Sequence, residues 1–115
     1  MSVHLITGAG SGIGSVVARR LLDRGDQVVV LARDAGRAKE ITAALPGASA
    51  IGGDLAQPGR LSWALSKQAL PERIDSLIHA AGVVDLGPVA DLAANLWERQ
   101  LAVNLVGPAE LTRLL

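Results

Sequence analysis

The sequence predicts an α/β fold, a parallel β-sheet doubly wound with helices on both faces. Short β-branched or aliphatic runs alternate with longer segments whose apolar residues recur at helical spacing, a strand–helix–strand rhythm repeated along the chain. One run, Val28-Val29-Val30-Leu31, is apolar on both faces, the pattern of a strand inside a parallel sheet. Four glycines lie between Gly8 and Gly14, where the first strand must turn tightly into the first helix.

The candidate strands are Val3 to Thr7, Gln27 to Leu31, Ala48 to Gly52 and Ile74 to His79. The first helix starts near Gly12, with Ile13, Val16, Val17 and Leu21 as its inward stripe, Arg19, Arg20 and Arg24 towards its end, and Gly25 as its stop. Asp34 reads as the N-cap of the second helix, whose Ala38, Ile41 and Leu45 face inward. A third helix carries Leu61, Ala64, Leu65 and Gln68 on one face before Pro71. Gly82 to Pro88 is loop, and Val89 to Leu115 reads as helix, bent or interrupted near Gly107-Pro108.

With 115 residues the chain is one domain or part of one. Half of it is hydrophobic and 19% charged, with Lys+Arg and Asp+Glu equal at 11 each, which argues against disorder and against electrostatic capture of nucleic acid. Met1-Ser2 lead directly into the first strand without the features of a signal peptide, and the longest apolar run, Val28 to Ala32, is far short of a membrane span. The expected location is the cytoplasm, with no membrane partner. The absence of cysteine excludes disulfides and thiolate zinc sites.

The turn Thr7-Gly8-Ala9-Gly10-Ser11-Gly12-Ile13-Gly14 follows a strand and opens a helix. Glycines there bring backbone N–H groups to a pyrophosphate and pack the helix on the strand. The alternative is a glycine-rich turn without a ligand. G-x-G-x-x-G from Gly8 would need glycine at Ile13, the form G-x-x-G-x-x-G fails at Ser11, and no Gly-Lys-Ser/Thr of a P-loop follows. The pattern that fits is T-G-x-x-x-G-x-G. Asp54-Leu55 after the third strand, His79-Ala80-Ala81-Gly82 after the fourth and Val103-Asn104-Leu105 in the last helical region continue the match in order. In these four motifs the chain resembles the short-chain dehydrogenases/reductases.

The resemblance implies a Rossmann-type sheet of order 3-2-1-4 and a dinucleotide cofactor. It implies roles for Gly8, Gly12, Ile13 and Gly14 at the pyrophosphate, with Ser11 beside them where many NADP enzymes of the family carry a second basic residue. Asp54 and Leu55 fall at the adenine, although an Asp after a strand is also a common turn former. Ala80, Ala81 and Gly82 fall beside the ribose nearer the nicotinamide, where the family often has Asn-Asn-Ala-Gly and works mainly through backbone. His79 stands in place of the first Asn, and its catalytic reading is the minor one. Asn104 matches a family asparagine understood to hold a water serving the catalytic lysine; its alternative is a polar residue at a helix bend.

Cofactor choice is written after the second strand. An acidic residue there would accept from both ribose hydroxyls, but the chain has Ala32-Arg33, and arginine can pair with a 2′-phosphate through two parallel hydrogen bonds. NADP(H) is therefore expected over NAD(H), against the reading of Arg33 as a solvated surface residue. The family needs a serine on the fifth strand and Tyr-x-x-x-Lys on the helix after it, and this chain contains no tyrosine. Residues 1–115 are expected to be an incomplete NAD(P)-binding domain, inactive alone, of an oxidoreductase acting on a small-molecule carbonyl or alcohol and forming a homo-oligomer when complete. The alternatives are a short non-catalytic nucleotide-binding protein and an interaction partner completing another chain's sheet. Trp63 and Trp97 read as packing or interface residues, His4 as a strand residue, and Lys39 and Lys67 as solvated.

Overall fold

The computed structural model describes residues 1–115. Strands β1 (Val3–Thr7), β2 (Gln27–Ala32), β3 (Ser49–Gly52) and β4 (Ser76–His79) form one parallel sheet in the order β3-β2-β1-β4. Helices α1 (Gly12–Asp23), α2 (Ala35–Ala44), α3 (Leu61–Ser66), α4 (Ala94–Leu101) and α5 (Gly107–Leu114) complete the chain. Side chains alternate across a strand, so β1 and β2 feed two cores. Leu5, Val29 and Leu31 meet Leu61 and Leu65 of α3 and Leu111 of α5 on one face. Ile6, Val28 and Val30 meet Ala18 of α1 and Ile41 of α2 on the other. The doubly wound arrangement and the strand order follow the sequence expectation.

The first helix corrects it in one respect. Ile13, 79% exposed, and Val16 point outward, whereas Gly14 and Ala18 face the sheet with Val17, Leu21 and Leu22 partly buried beside them. The smallest residues take the contact line because the helix begins directly against the strand it follows, leaving no room there for a branched side chain. Its end is as expected. Gly25 at φ +88° lets its N–H reach the Leu22 carbonyl while the Asp26 N–H reaches Leu21, a paired C-terminal cap. Asp34 caps α2, its Oδ1 accepting from the Arg37 N–H at 2.7 Å.

Gln68 does not extend the inward face of α3, which ends at Ser66. It turns back onto the outer edge of β3, where Oε1 accepts from the Gly52 N–H (2.8 Å) and Nε2 donates to the Gly52 carbonyl (2.7 Å). One amide side chain thereby occupies an edge that would otherwise be open to another strand. At the other edge β4 begins at Ser76, two residues later than expected; Asp75 before it still joins Val3, its N–H donating to the Val3 carbonyl (2.8 Å) and its Oδ2 accepting from the Val3 N–H (2.7 Å).

The amino ends of the strands are tied by His4, whose Nδ1 meets Ser76 Oγ (2.5 Å) and whose Nε2 meets Asp26 Oδ2 (3.0 Å). The bond to His4, with the Ser2 N–H and Arg24 behind it, holds the Asp26 carboxyl below the ordinary carboxylate range. The Val3 N–H, then Arg73, does the same for Asp75.

The expected helix from Val89 starts only at Ala94, after a short 3₁₀ turn at Val89–Asp91. Its interruption is a π-helical turn over Ala102–Val106, closed by the Gly107 N–H on the Ala102 carbonyl. Pro108 has no N–H to close an α turn onto Asn104, so the wider turn precedes it rather than a bend at Gly107-Pro108. Gly107 then packs so closely on the Leu55 carbonyl that a Cβ would lie 2.5 Å from that oxygen. No helix is long and apolar enough to cross a membrane.

Candidate functional site

The carboxyl ends of the strands open onto one cleft of about 580 Å³, at the point where the connections from β1 and β4 diverge to opposite sides of the sheet. Such a switch point is where open α/β sheets take ligands. Gly8, Ser11, Gly12 and Ile13 line it from the first turn, Arg33 from the end of β2, Asp54 and Leu55 from the segment after β3, and Ala80, Ala81 and Gly82 from the segment after β4. These are ten of the twelve residues singled out from sequence. Gly14 lies buried behind the turn and Asn104 supports the rim.

The turn is shaped by what cannot fit in it. Gly8 has φ +71°, and a Cβ there would stand 2.5 Å from the backbone C of Ala80 and N of Ala81. A Cβ on Gly14 would strike the Gly8 carbonyl oxygen. Thus β1, the start of α1 and the segment after β4 are in direct backbone contact. Thr7, fully buried, fixes that segment: its carbonyl accepts from the Ala80 N–H (3.2 Å) and its Oγ1 from the Ala81 N–H (3.3 Å). Ser11 is the N-cap of α1 in extended conformation without a side-chain cap bond, and no acidic residue lies in the first turn. The first N–H donors and the positive end of the helix dipole therefore face the cleft uncompensated.

Asp54 fulfils its turn-forming reading, Oδ1 accepting from the Ala56 N–H at 2.9 Å, while also lining the cleft. Asn104, carried on the π turn, clamps the loop after β4: its Nδ2 donates to the Val83 carbonyl (2.7 Å) and its Oδ1 accepts from the Val83 N–H (2.9 Å). Its side chain is thus engaged with the backbone beside Gly82. His79 is exposed and turned to α5, with Nε2 2.9 Å from Thr112 Oγ1, and does not line the cleft.

Arg33 is two-thirds exposed, with Nε 3.5 Å from Asp34 Oδ2. It lines both the main cleft and a smaller one of about 280 Å³ that also involves Arg60 and Trp63; Gly53 and Asp54 are likewise common to the two. Trp63 is exposed there, with Arg60 and Lys67 5.6 and 5.8 Å from its ring centroid. Arg37, which sequence reading passed over, also lines the main cleft, and Arg99 does so from α4. The sequence did carry a signal for Arg37: it stands at the third position of a capped helix, one turn beyond Arg33.

These residues fit a dinucleotide. The glycine turn leaves a concave backbone surface where side chains are excluded, a helix N-terminus faces it, and the guanidinium groups of Arg33 and Arg37 line the same cleft. The profile of the short chain dehydrogenase family matches residues 2–115. A short chain dehydrogenase, ausX, from Emericella nidulans is 36% identical over 98% of this chain, which spans 58% of that protein. The D-threitol dehydrogenase of Mycolicibacterium smegmatis is 33% identical over 91% of the chain, corresponding to 42% of its own length. Among solved structures, the short-chain dehydrogenase from Sphingobium yanoikuyae in complex with NADPH superposes with a TM-score of 0.82 and 31% identity, over 99% of this chain and 46% of that one. The chain thus spans roughly half the length of the proteins it matches. With the four motifs in order, the sheet order β3-β2-β1-β4 and a family match running from Ser2 to the last residue, the chain belongs to the short-chain dehydrogenase/reductase family of oxidoreductases.

Proposed function

We propose that residues 1–115 are the NADP(H)-binding part of an oxidoreductase that interconverts a small carbonyl compound and its alcohol. In this reading they form an incomplete domain, whose proton-transferring residues lie outside the chain. The observation that carries the reading is the glycine turn packed on Ala80-Ala81, with the uncapped start of α1 beside it. The N–H groups of Gly12 and Ile13 would neutralise a pyrophosphate, and Gly8 and Gly14 hold the turn against the sheet so that nothing intrudes. Asp54 and Leu55 would border the adenine, and Ala80, Ala81 and Gly82 the ribose near the nicotinamide. Asn104 positions that last segment through Val83. When bound, the cofactor supplies hydride-transfer chemistry.

Arg33 supports NADP(H) over NAD(H). It stands at the end of β2 with no carboxylate at Ala32 before it, and its contact with Asp34 is long enough to yield to a phosphate. The NADPH complex of the Sphingobium protein is consistent with this choice. A charged hydrogen bond contributes about 1.5–3 kcal/mol, so Arg33→Ala should weaken NADPH binding about tenfold to a hundredfold and barely change NADH. Fluorescence titration of both nucleotides decides it; equal losses would make Arg33 a structural residue.

A second reading is a short nucleotide-binding protein without catalysis. The two readings separate at the encoding gene, where the oxidoreductase requires a Ser and a Tyr-x-x-x-Lys in frame. In both, the 115 residues alone are expected not to turn over carbonyls or alcohols, because the Ser and Tyr-x-x-x-Lys that would orient the substrate and donate the proton have no counterpart among them. Turnover by the isolated chain, lost in His79→Ala, would contradict both.

A further inference from the structure

We propose that Arg37 is a second cation of the 2′-phosphate subsite, reaching the glycine turn from α2 where Ser11 supplies no charge. This rests on the NADP(H) reading above and adds a specificity-determining residue to it. The guanidinium of Arg37 lies against Gly10, with its Cζ 2.9 Å from the point where a Gly10 Cβ would stand. A side chain at Gly10 would push the guanidinium away from the turn, so a glycine there leaves room for Arg37 to lie against it. Arg37 is also held from behind. Its Nη1 donates to Glu40 Oε2 at 2.9 Å, one turn further along α2, which directs Nη2 to the turn. Its backbone N–H is bound to Asp34 Oδ1, the cap that fixes where α2 begins.

Arg33 and Arg37 therefore bracket the start of α2 and line the same cleft, one from the end of β2 and the other from across the glycine turn. A guanidinium has five donors. Glu40 engages one nitrogen of Arg37, and Asp34 lies 3.5 Å from Nε of Arg33, leaving the terminal nitrogens of Arg33 and Nη2 of Arg37 for phosphate oxygens. Both acidic partners are more than half exposed, so water can solvate them if an incoming dianion weakens either pair. A ribose with a free 2′-hydroxyl presents no charge for either arginine, so the contribution of Arg37 is selective for the phosphorylated nucleotide.

The test is equilibrium binding to the full polypeptide in which residues 1–115 occur. NADPH and NADH are titrated by fluorescence, and 2′,5′-ADP and 5′-AMP, which lack the nicotinamide, by calorimetry. Arg37→Ala should weaken NADPH and 2′,5′-ADP about tenfold while NADH and 5′-AMP stay within about twofold, and Arg37→Lys should recover part of the loss. If Arg37→Ala does not fold, Arg37→Gln, which keeps a side chain over Gly10 without charge, carries the same expectation. Equal losses for phosphorylated and unphosphorylated nucleotides would make Arg37 a support of the turn and overturn the proposal. So would an unchanged NADPH affinity in Arg37→Ala alongside a selective loss in Arg33→Ala, and in that case the NADP(H) reading would survive. A wild-type protein that binds NADPH no better than NADH, unaltered by Arg33→Ala, would remove that reading and this proposal together.

Discussion

Replacing Gly8 by alanine should damage folding and nucleotide binding together. The residue sits at φ +71°, where an L-residue costs roughly 1–2 kcal/mol over glycine. Its new methyl would also stand 2.5 Å from the backbone of Ala80 and Ala81, which cannot swing away as a side chain would. Forcing a methyl into a closely packed place costs about 1–3 kcal/mol. The two contributions give a destabilisation of roughly 2–5 kcal/mol, a large share of the total of a small domain. Relief would come from moving the segment after β4 away from the turn, which widens the cleft and lowers dinucleotide affinity even in molecules that remain folded. Gly59→Ala is the control, because nothing lies within 4 Å of its added Cβ and its φ is not positive. That substitution should be neutral or stabilising by up to about 1 kcal/mol. Urea unfolding of the two variants, with NADPH titration of each, measures both effects. A Gly8→Ala protein with the stability and affinity of the parent would refute the steric reasoning.

Two side-chain attachments to the sheet, Gln68 on β3 and the carboxyls at the amino ends of the strands, give further expected outcomes. Gln68→Ala removes both bonds to Gly52 and one to the Ala64 carbonyl, and should lower stability by about 1–3 kcal/mol and increase association in light scattering; Gln68→Glu should restore only the bond from the Gly52 N–H. The carboxyls of Asp26 and Asp75 are held below their ordinary values in the folded chain, so their stabilisation is present above the unfolded pKa, about 4, and is lost as pH falls through the lower folded value. Urea midpoints should decline as pH drops below about 4, less steeply in Asp75→Asn, and a midpoint flat across that range would contradict the assignment.

Much of this was legible because local and global signals agree. The doubly apolar run at Val28–Leu31 belongs at the centre of a parallel sheet and pairs there with β1 and β3. Asp34 and Gly25 mark helix ends through backbone chemistry that needs no tertiary context. The motif residues converge on one cleft because each follows a parallel strand, and parallel strands deliver their carboxyl ends to the same side.

What sequence did not show depends on distance along the chain. Ile13 and Val16 fit a helical stripe as well as Gly14 and Ala18 do, and only the closeness of α1 to its strand selects the small residues. Gln68 continues the period of α3, but its amide finds an open strand edge at Gly52 sixteen residues earlier. The engagement of Asn104 with Val83 spans 21 residues and depends on the π turn. Arg37 acquires its place only when α2 folds back across the glycine turn.

In the proposed function a dinucleotide lies at the carboxyl end of this sheet with its phosphorylated ribose towards Arg33. Amide chemical-shift mapping of the isotope-labelled full polypeptide during titration with NADPH and then NADH tests it most directly. Both nucleotides should shift the amides of Gly8 to Gly14, Asp54-Leu55 and Ala80 to Gly82, while the region from Arg33 to Arg37 responds more strongly to NADPH. Shifts confined to the opposite end of the sheet around His4, Asp26 and Ser76, or none at saturating nucleotide, would contradict it.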